Sequence, residues 1–342
     1  MPNRKTRAVS LAVFLVLGVP AVVLPVWPQA LGAHTVLIVA QLIAFRALLA
    51  LALGFGAVLA VVVALFRRRW GIAAGVAIVL GIASVANGGV LLSRGAGPGA
   101  GAGAGGTLPD GDLVVVAWNT QGGATSPESV AQLVLDTGAD IVSLPEMDDL
   151  AVAEVARFVA REGHRMTAAT AYGETGDSWI PTSLLIVDDL GEYQMDTSAG
   201  STPGVPSGVW RSVDGSGPTI VAAHPSPPLP GGMDEWTAGL QWVAEQCDAP
   251  DVIVAGDLNA TADHLTGLGI GDALIGSCQD AAITMGAGAV GTWPTSVPAW
   301  LASPIDHVLV GATWTVRGVQ VVTSLDQTGT DHRPIVAVLD AK

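Results

Sequence analysis

The chain has 342 residues, half of them hydrophobic, with a formal charge of −15 and a mean hydropathy of +0.52. That apolar excess excludes a single soluble domain, and the acidic balance argues against a chain built to grip polyanions. The two properties are segregated. Residues 1–94 hold eight cations and no Asp or Glu, whereas all 30 acids and only seven cations lie beyond, about −23 for that remainder.

Residues 9–28, 46–66 and 71–93 each approach the ~20 apolar residues that a bilayer core requires, which predicts a 1–94 membrane anchor with three transmembrane helices. Pro20 and Pro25 in the first are tolerated in membrane helices. Arg4, Lys5 and Arg7 precede the first span, and Arg67, Arg68 and Arg69 separate the second from the third. Both clusters belong on the cytoplasmic side, so three crossings put residue 95 onward outside the cell, in a multi-pass cell-membrane protein. The first span also fits a cleavable signal peptide, with small residues near Ala30 and Ala33. Arg67–Arg69 keep the remainder outside in either case. Arg46 interrupts the second run and is expected to snorkel at the outer interface.

Residues 95–106, Gly/Ala-rich, form a flexible linker whose end-to-end distance is roughly 20 Å, which keeps residues 107–342 close to the membrane. That last stretch is of ordinary size for one α/β domain. Strands are predicted at 113–118, 140–146, 183–188, 219–224, 251–256, 305–310, 315–322 and 335–339. Helices are predicted at 127–137, after Ser126-Pro127-Glu128 and closing at Gly138, at 149–162, and at 234–247 with Asp234 as N-cap. Several strands follow one another directly, which favours an α/β core of two mixed sheets flanked by helices over a doubly wound parallel sheet. Cys247 and Cys278, the only cysteines, fit either one extracellular disulfide or two buried thiols.

The chemistry-bearing residues sit at strand ends. The apolar run Asp251–Gly256 ends in Asp257-Leu258-Asn259, and others end in Trp118-Asn119, in Pro145-Glu146 and in His224. Asp306-His307 lies inside a strand and Asp331-His332 precedes the last one. Buried strands avoid Asp and Asn, so such groups need water, metal or ligand as partners. No nucleophile elbow, P-loop, Rossmann glycine pattern or His-Glu-x-x-His is present. An oxygen-rich, thiolate-free set suits Mg²⁺ or Mn²⁺, and histidines beside carboxylates supply acid–base capacity near neutral pH. Together they suit attack of water on a phosphoester.

The order Trp118-Asn119, Leu144-Pro145-Glu146, His224, Gly256-Asp257-Leu258-Asn259, Ile305-Asp306-His307, Thr330-Asp331-His332 resembles the endonuclease/exonuclease/phosphatase superfamily, over about 112–340. The resemblance implies a four-layer α/β sandwich with its site at one end of two packed sheets. It implies Glu146, with Asn119 beside it, as the metal ligand, and Asp331 reaching the same ion. Asp257 resembles the residue that orients or deprotonates the attacking water, with Asn259 fixing it. His332 resembles the histidine on the scissile phosphate, Asp306 its carboxylate partner, and His224 a second phosphate-contacting or proton-donating histidine. Two positions depart from the pattern: Pro145 stands where Gln is common, and Gln121 where some nucleases carry an acid. His307 is expected to be structural, and His34, His164 and His264 solvated or interfacial.

An acidic domain with few cations argues against nucleic acid, whose binding rests on phosphate neutralisation. Tethering favours a substrate in or near the bilayer. The three spans and His224-Pro225-Ser226-Pro227-Pro228 also resemble membrane-bound members associated with teicoplanin resistance, which implies a lipid-linked phosphoester such as a polyprenyl pyrophosphate. An extracellular nuclease and a catalytically inactive binding domain are the alternatives. Gly231-Gly232 and the tryptophans Trp179, Trp210, Trp236, Trp293 and Trp300 fit either a lipid-facing mouth or ordinary core and surface positions.

Overall fold

The computed structural model describes residues 18–67, 70–96, 108–173 and 180–342. The chain divides into two compact units, Met1–Ser93 and Arg94–Lys342.

In the first unit, helices α1 (Val19–Val26), α2 (Val39–Ala44), α3 (Arg46–Arg67) and α4 (Trp70–Arg94) follow in order. Among the described residues two helices are long and apolar enough to cross a membrane: Arg46–Phe66, mean hydropathy 2.8, and Ile72–Arg94, 2.0. These match the second and third expected spans. The first expected span falls partly on residues 1–17, outside the described residues. Its described part is the eight-residue α1 with Pro25 inside, followed by a 3-10 turn, Pro28–Leu31. A further correction concerns Arg46. It does not snorkel: it is 4% exposed, and its guanidinium donates to Asn87 Oδ1 at 2.5 Å and to the Val26 carbonyl at 3.2 Å. Its neighbours are protein groups because small residues bring α3 and α4 together. Ser84 Oγ donates to the Ala50 carbonyl at 2.7 Å, and a Cβ on Gly54 would lie 3.0 Å from that hydroxyl. Close approach at small residues is how membrane helices pack.

The second unit holds strands β1 (Leu113–Ala117), β2 (Ile141–Pro145), β3 (Met166–Ala171), β4 (Thr182–Val187), β5 (Tyr193–Met195), β6 (Gly208–Ser212), β7 (Ile220–Ala223), β8 (Ile253–Asp257), β9 (Gln279–Asp280), β10 (Asp306–Val310), β11 (Trp314–Val321) and β12 (Ile335–Ala341). They form two six-stranded sheets, β11-β12-β1-β2-β4-β3 and β5-β6-β7-β8-β10-β9. Each sheet is mixed: β1–β2 and β7–β8 pair in parallel and the remaining pairs are antiparallel.

The period of two along β1 builds two cores at once. Val115 and Ala117 join Ile141, Ile220, Ile253 and Val308 between the sheets. Val116 and Trp118 face the other way, onto Val130 and Val134 of α5 (Pro127–Thr137) and Val155 and Val159 of α6 (Asp149–Arg161). The third helix, α7 (Met233–Gln246), buries Trp236, Leu240 and Val243. It starts one residue before the expected Asp234 cap, with Gly232 as a cap that lends no side chain, so Asp234 lies in the first turn instead. The short helix α8 (Ala281–Thr284) is capped by Asp280.

Cys247, at the end of α7, is joined to Cys278 by a disulfide with Cα atoms 5.5 Å apart, and both cysteines are fully buried. Of the open alternatives, the structure contains the disulfide.

The register brings the polar strand ends together. Ala117 opposes both Ser143 and Ile335, and Asp257 opposes Asp306. Ala223 opposes Gly256. A Cβ at Gly256 would fall 1.9 Å from the Ala223 carbonyl oxygen, and its φ is +153°, so only glycine fits before Asp257.

Candidate active site

All eight expected site residues form one continuous network. Asn119 Nδ2 donates to Glu146 Oε1 at 2.9 Å and to Asp257 Oδ2 at 3.0 Å. Asn259 donates its backbone N–H to Asp257 Oδ1 at 2.8 Å and its side-chain amide to the Pro225 carbonyl at 3.0 Å. His224 Nε2 stands 3.9 Å from Glu146 Oε1 and 3.8 Å from Asp257 Oδ2. His332 is held by Asp306 at Nδ1, 2.9 Å, and its Nε2 lies 3.7 Å from Asp257 Oδ2 and 3.8 Å from Asp331 Oδ1.

Local backbone sets these positions. In the second unit, the described non-glycine residues with positive φ are Gln121 (+52°), Glu146 (+63°) and Asn259 (+49°). All three lie at this site, each just past a strand end. Such conformations cost of order 1–3 kcal/mol and cluster where geometry serves function. At Glu146 the turn is fixed by its N–H donating to the Pro181 carbonyl at 2.9 Å. His332 is anchored by Trp118 Nε1, which donates to its carbonyl at 3.0 Å, and by its own N–H donating to Thr330 Oγ1 at 3.1 Å.

Burial and charge set the protonation pattern. Burial lowers the His224 pKa, outweighing the charge of Asp257, and leaves that ring neutral near pH 7. Burial also opposes charge on His332, but the charges of Asp306 and Asp257 and the Asp306 hydrogen bond prevail and hold its pKa at about 9. Asp257 is pushed up, first by burial and then by Asp306. A carboxylate buried beside another needs a proton or a cation.

The donor set fits a hard divalent cation. Four carboxylates (Glu146, Asp257, Asp306, Asp331) face two imidazoles, and Asp306 Oδ1 is buried without a hydrogen-bond partner. Oxygen ligands with no thiolate suit Mg²⁺ or Mn²⁺. The tightest group of ligand-capable atoms among the described residues is Asp257, Asp306 and His332, all within 4.8 Å of one another. It differs from the expected trio of Glu146, Asn119 and Asp331. In it, His332 Nδ1 is already engaged by Asp306. Glu146, whose side chain is 23% exposed, is open to solvent.

Several contributors carry no role that the sequence alone assigns. Trp293 Nε1 donates to Asp331 Oδ2 at 2.8 Å, and its ring centroid lies 6.4 Å from that of His332. Thr292 Oγ1 accepts from the N–H groups of Ile305 and Asp306, each at 3.2 Å. Gln121 Oε1 accepts from the Asp331 N–H at 3.0 Å, while its own N–H donates to Asn119 Oδ1 at 2.9 Å. These residues come from loops, and the signals that could mark them are the proximity of Gln121 to Asn119 in sequence and the Trp-Pro turn.

The other histidines divide. His307 is buried, with Nδ1 2.6 Å from Asp280 Oδ2 and Nε2 2.8 Å from the Ala260 carbonyl, a structural position as expected. His264 is not solvated: it is 1% exposed, accepts the Thr261 N–H at 2.8 Å and meets Trp236 edge-on at 5.1 Å. Tertiary packing alone buries that ring, since nothing in its sequence context marks a core position. Trp210 and Trp236 are core residues and Trp300 is 59% exposed. Trp179 lies outside the described residues.

Two solved structures of TDP2 from D. rerio share this architecture. One, humanized by 14 mutations, is 16% identical, with 66% of this chain and 98% of that chain covered and a TM-score of 0.50. The other, complexed with single-strand DNA product, is 18% identical over the same shares, also with a TM-score of 0.50. At such identities the likeness concerns the fold alone. Comparison with curated proteins gives no match. The model of the Endonuclease/Exonuclease/phosphatase family matches residues 116–332, from the end of β1 to His332. With its span containing all eight network residues, this chain belongs to the endonuclease/exonuclease/phosphatase family.

Proposed function

We propose that this protein is a divalent-metal-dependent phosphoester hydrolase, tethered to a membrane with its site on the extracytoplasmic side, and acting on a lipid-linked phosphoester or pyrophosphate. The observation that carries the reading is the network joining Asn119, Glu146, His224, Asp257, Asn259, Asp306, Asp331 and His332.

The residues divide the work. Glu146, with Asn119 and Asp331, would hold the cation, which supplies charge neutralisation at the phosphoryl oxygens. Asp257, its pKa raised, is the better proton acceptor for the attacking water. Asn119 and the Asn259 N–H fix its two oxygens. The water oxygen bonds to phosphorus, its proton goes to Asp257, and the bond from phosphorus to the leaving oxygen breaks. His332, charged and oriented by Asp306, directs Nε2 toward the phosphoryl oxygens, the logic of an Asp–His pair.

Three features support the membrane and external placement. Two helices have the length and hydropathy of membrane spans. Arg67–Arg69 lie between them, which favours a cytoplasmic turn. The Cys247–Cys278 disulfide suits an oxidising compartment. The polyprenyl pyrophosphate remains the expectation of the resemblance.

The test uses full-length protein in detergent with Mg²⁺ or Mn²⁺, assayed on a polyprenyl pyrophosphate, on a lipid phosphodiester and for plasmid nicking, beside Asp257→Ala and His332→Ala. Lipid turnover lost in both variants is the expected result. Nicking without lipid turnover would support a nuclease instead. Turnover unchanged in the variants would remove the site assignment. Protease accessibility on intact cells checks the placement.

A further inference from the structure

Every cation of the second unit except Arg157 has a partner outside the network. Arg165 pairs with Asp188, where β3 begins and β4 ends, at the far end from the Pro145–Thr182 pairing beside Glu146. Arg211 pairs with Asp196 at 2.7 Å, three residues along β6 from the Gly208 end that lies near His224. Arg317 pairs with Asp340, and Lys342 donates to the Ala312 carbonyl, both toward the end of β12 remote from His332. Arg157 and Arg161 ride the later turns of α6, where Arg161 lies over the Phe158 ring. Arg94 is engaged by Asp263 through two 2.7 Å bonds. Arg333, next to the site histidine in sequence, is 1% exposed. It is spent on Asp326 and on the carbonyls of Gly291, Pro294, Thr295 and Val297.

Among the described residues of the second unit, then, no Lys or Arg reaches the network, and residues 97–107 and 174–179 contain none. With a single divalent cation bound, the four carboxylates are at most balanced by that cation and two imidazolium rings. No positive surplus remains for the substrate. A phosphate dianion or a pyrophosphate would add two or more uncompensated charges inside a domain of about −23, whereas a phosphodiester adds one.

We infer that the phosphate cleaved here is a singly charged phosphodiester with uncharged substituents at the site, rather than a terminal phosphate, a pyrophosphate or a polyanion. This rests on the phosphoesterase reading and narrows the class of lipid-linked substrate within it. The carboxylate excess, with neutral amides at Gln121 and Asn259, selects by penalising every additional negative charge.

The experiment uses the full chain in detergent with Mg²⁺ or Mn²⁺ and three probes: bis(p-nitrophenyl) phosphate, p-nitrophenyl phosphate and a polyprenyl pyrophosphate. The first two share a leaving group but differ in intrinsic reactivity, so the readout is the ratio of their kcat/KM values in the wild type and in Asp331→Asn. Removing one negative charge at the half-exposed Asp331 should lower the diester-to-monoester ratio by about threefold to tenfold. If Asp331→Asn loses all turnover, Gln121→Lys, which adds a positive charge in the adjoining loop, must give the same fall. A wild type that turns over the monoester or the pyrophosphate with the higher kcat/KM, or a ratio that no charge change moves, overturns the inference and leaves the phosphoesterase reading standing. No turnover of any probe overturns both.

Discussion

Asn119 lies two residues past β1 of one sheet and Asp257 ends β8 of the other, yet the Asn119 amide donates to the Asp257 carboxylate at 3.0 Å. One N–H therefore ties the two halves of the sandwich at the candidate site. The same amide group also donates to Glu146 at 2.9 Å. Asn119→Ala should remove a hydrogen bond that favours the ionised Asp257, whose pKa is already raised. The acidic limb of the pH–rate profile should then move to higher pH, and kcat should fall by about 10²-fold.

Asp257→Asn should separate activity from stability. It removes the proposed proton acceptor, so kcat should fall by roughly 10²–10⁴-fold. It also removes a buried charge that Asp306 repels, so the melting temperature of the metal-free protein should hold or rise. A large loss of melting temperature would contradict the charge pattern described for the site.

His332 gives a pH dependence whose sign is fixed. Its folded pKa, about 9, lies above the unfolded value near 6.5. The resulting stabilisation is complete below about pH 6.5 and is lost as pH rises through about 9, and it amounts to something on the order of 3 kcal/mol. Thermal melts in EDTA between pH 6 and 10 should show a steeper alkaline decline for the wild type than for His332→Asn.

His307 faces two acceptors, the Asp280 carboxylate and the Ala260 carbonyl. Both ring nitrogens must donate, so the buried ring is an imidazolium. Burial opposes that charge, but the Asp280 bond and charge overcome it and raise the pKa. His307→Leu leaves Asp280 charged and unpaired, which should cost about 3–5 kcal/mol in denaturant melts. Adding Asp280→Asn should recover part of that loss.

The Cys247–Cys278 bond closes a loop across a sequence separation of 31. Loop-closure entropy for that length predicts a stabilisation of about 3–4 kcal/mol. Melting the full-length protein with and without reductant, beside a Cys247→Ser/Cys278→Ser variant, measures it.

Helix α5 was legible to the residue because its signals are local. Ser126 accepts the Ser129 N–H, Pro127 occupies the first turn and Gly138 closes in the left-handed conformation. The eight long apolar strands were legible for a similar reason. Strands β3, β5, β6 and the two-residue β9 were not. β3 reads Met-Thr-Ala-Ala-Thr-Ala, with little β-branched content, β5 has three residues at a sheet edge, and β6 opens with glycine. Their state is decided by pairing with neighbours remote in sequence. The site divides in the same way. Asp257 and Glu146 stand out because polar groups interrupt buried strands, whereas Thr292 and Trp293 reach the site from a loop that only tertiary packing brings there.

The disulfide loop also encloses Asp257 and Asn259, which lie between the two cysteines. A single proteolytic cut in the exposed Ile270–Asp272 segment would leave both fragments covalently joined on either side of the candidate site. Such a nicked molecule stays one covalent unit, and its unreduced mass is changed only by the water added at the cut.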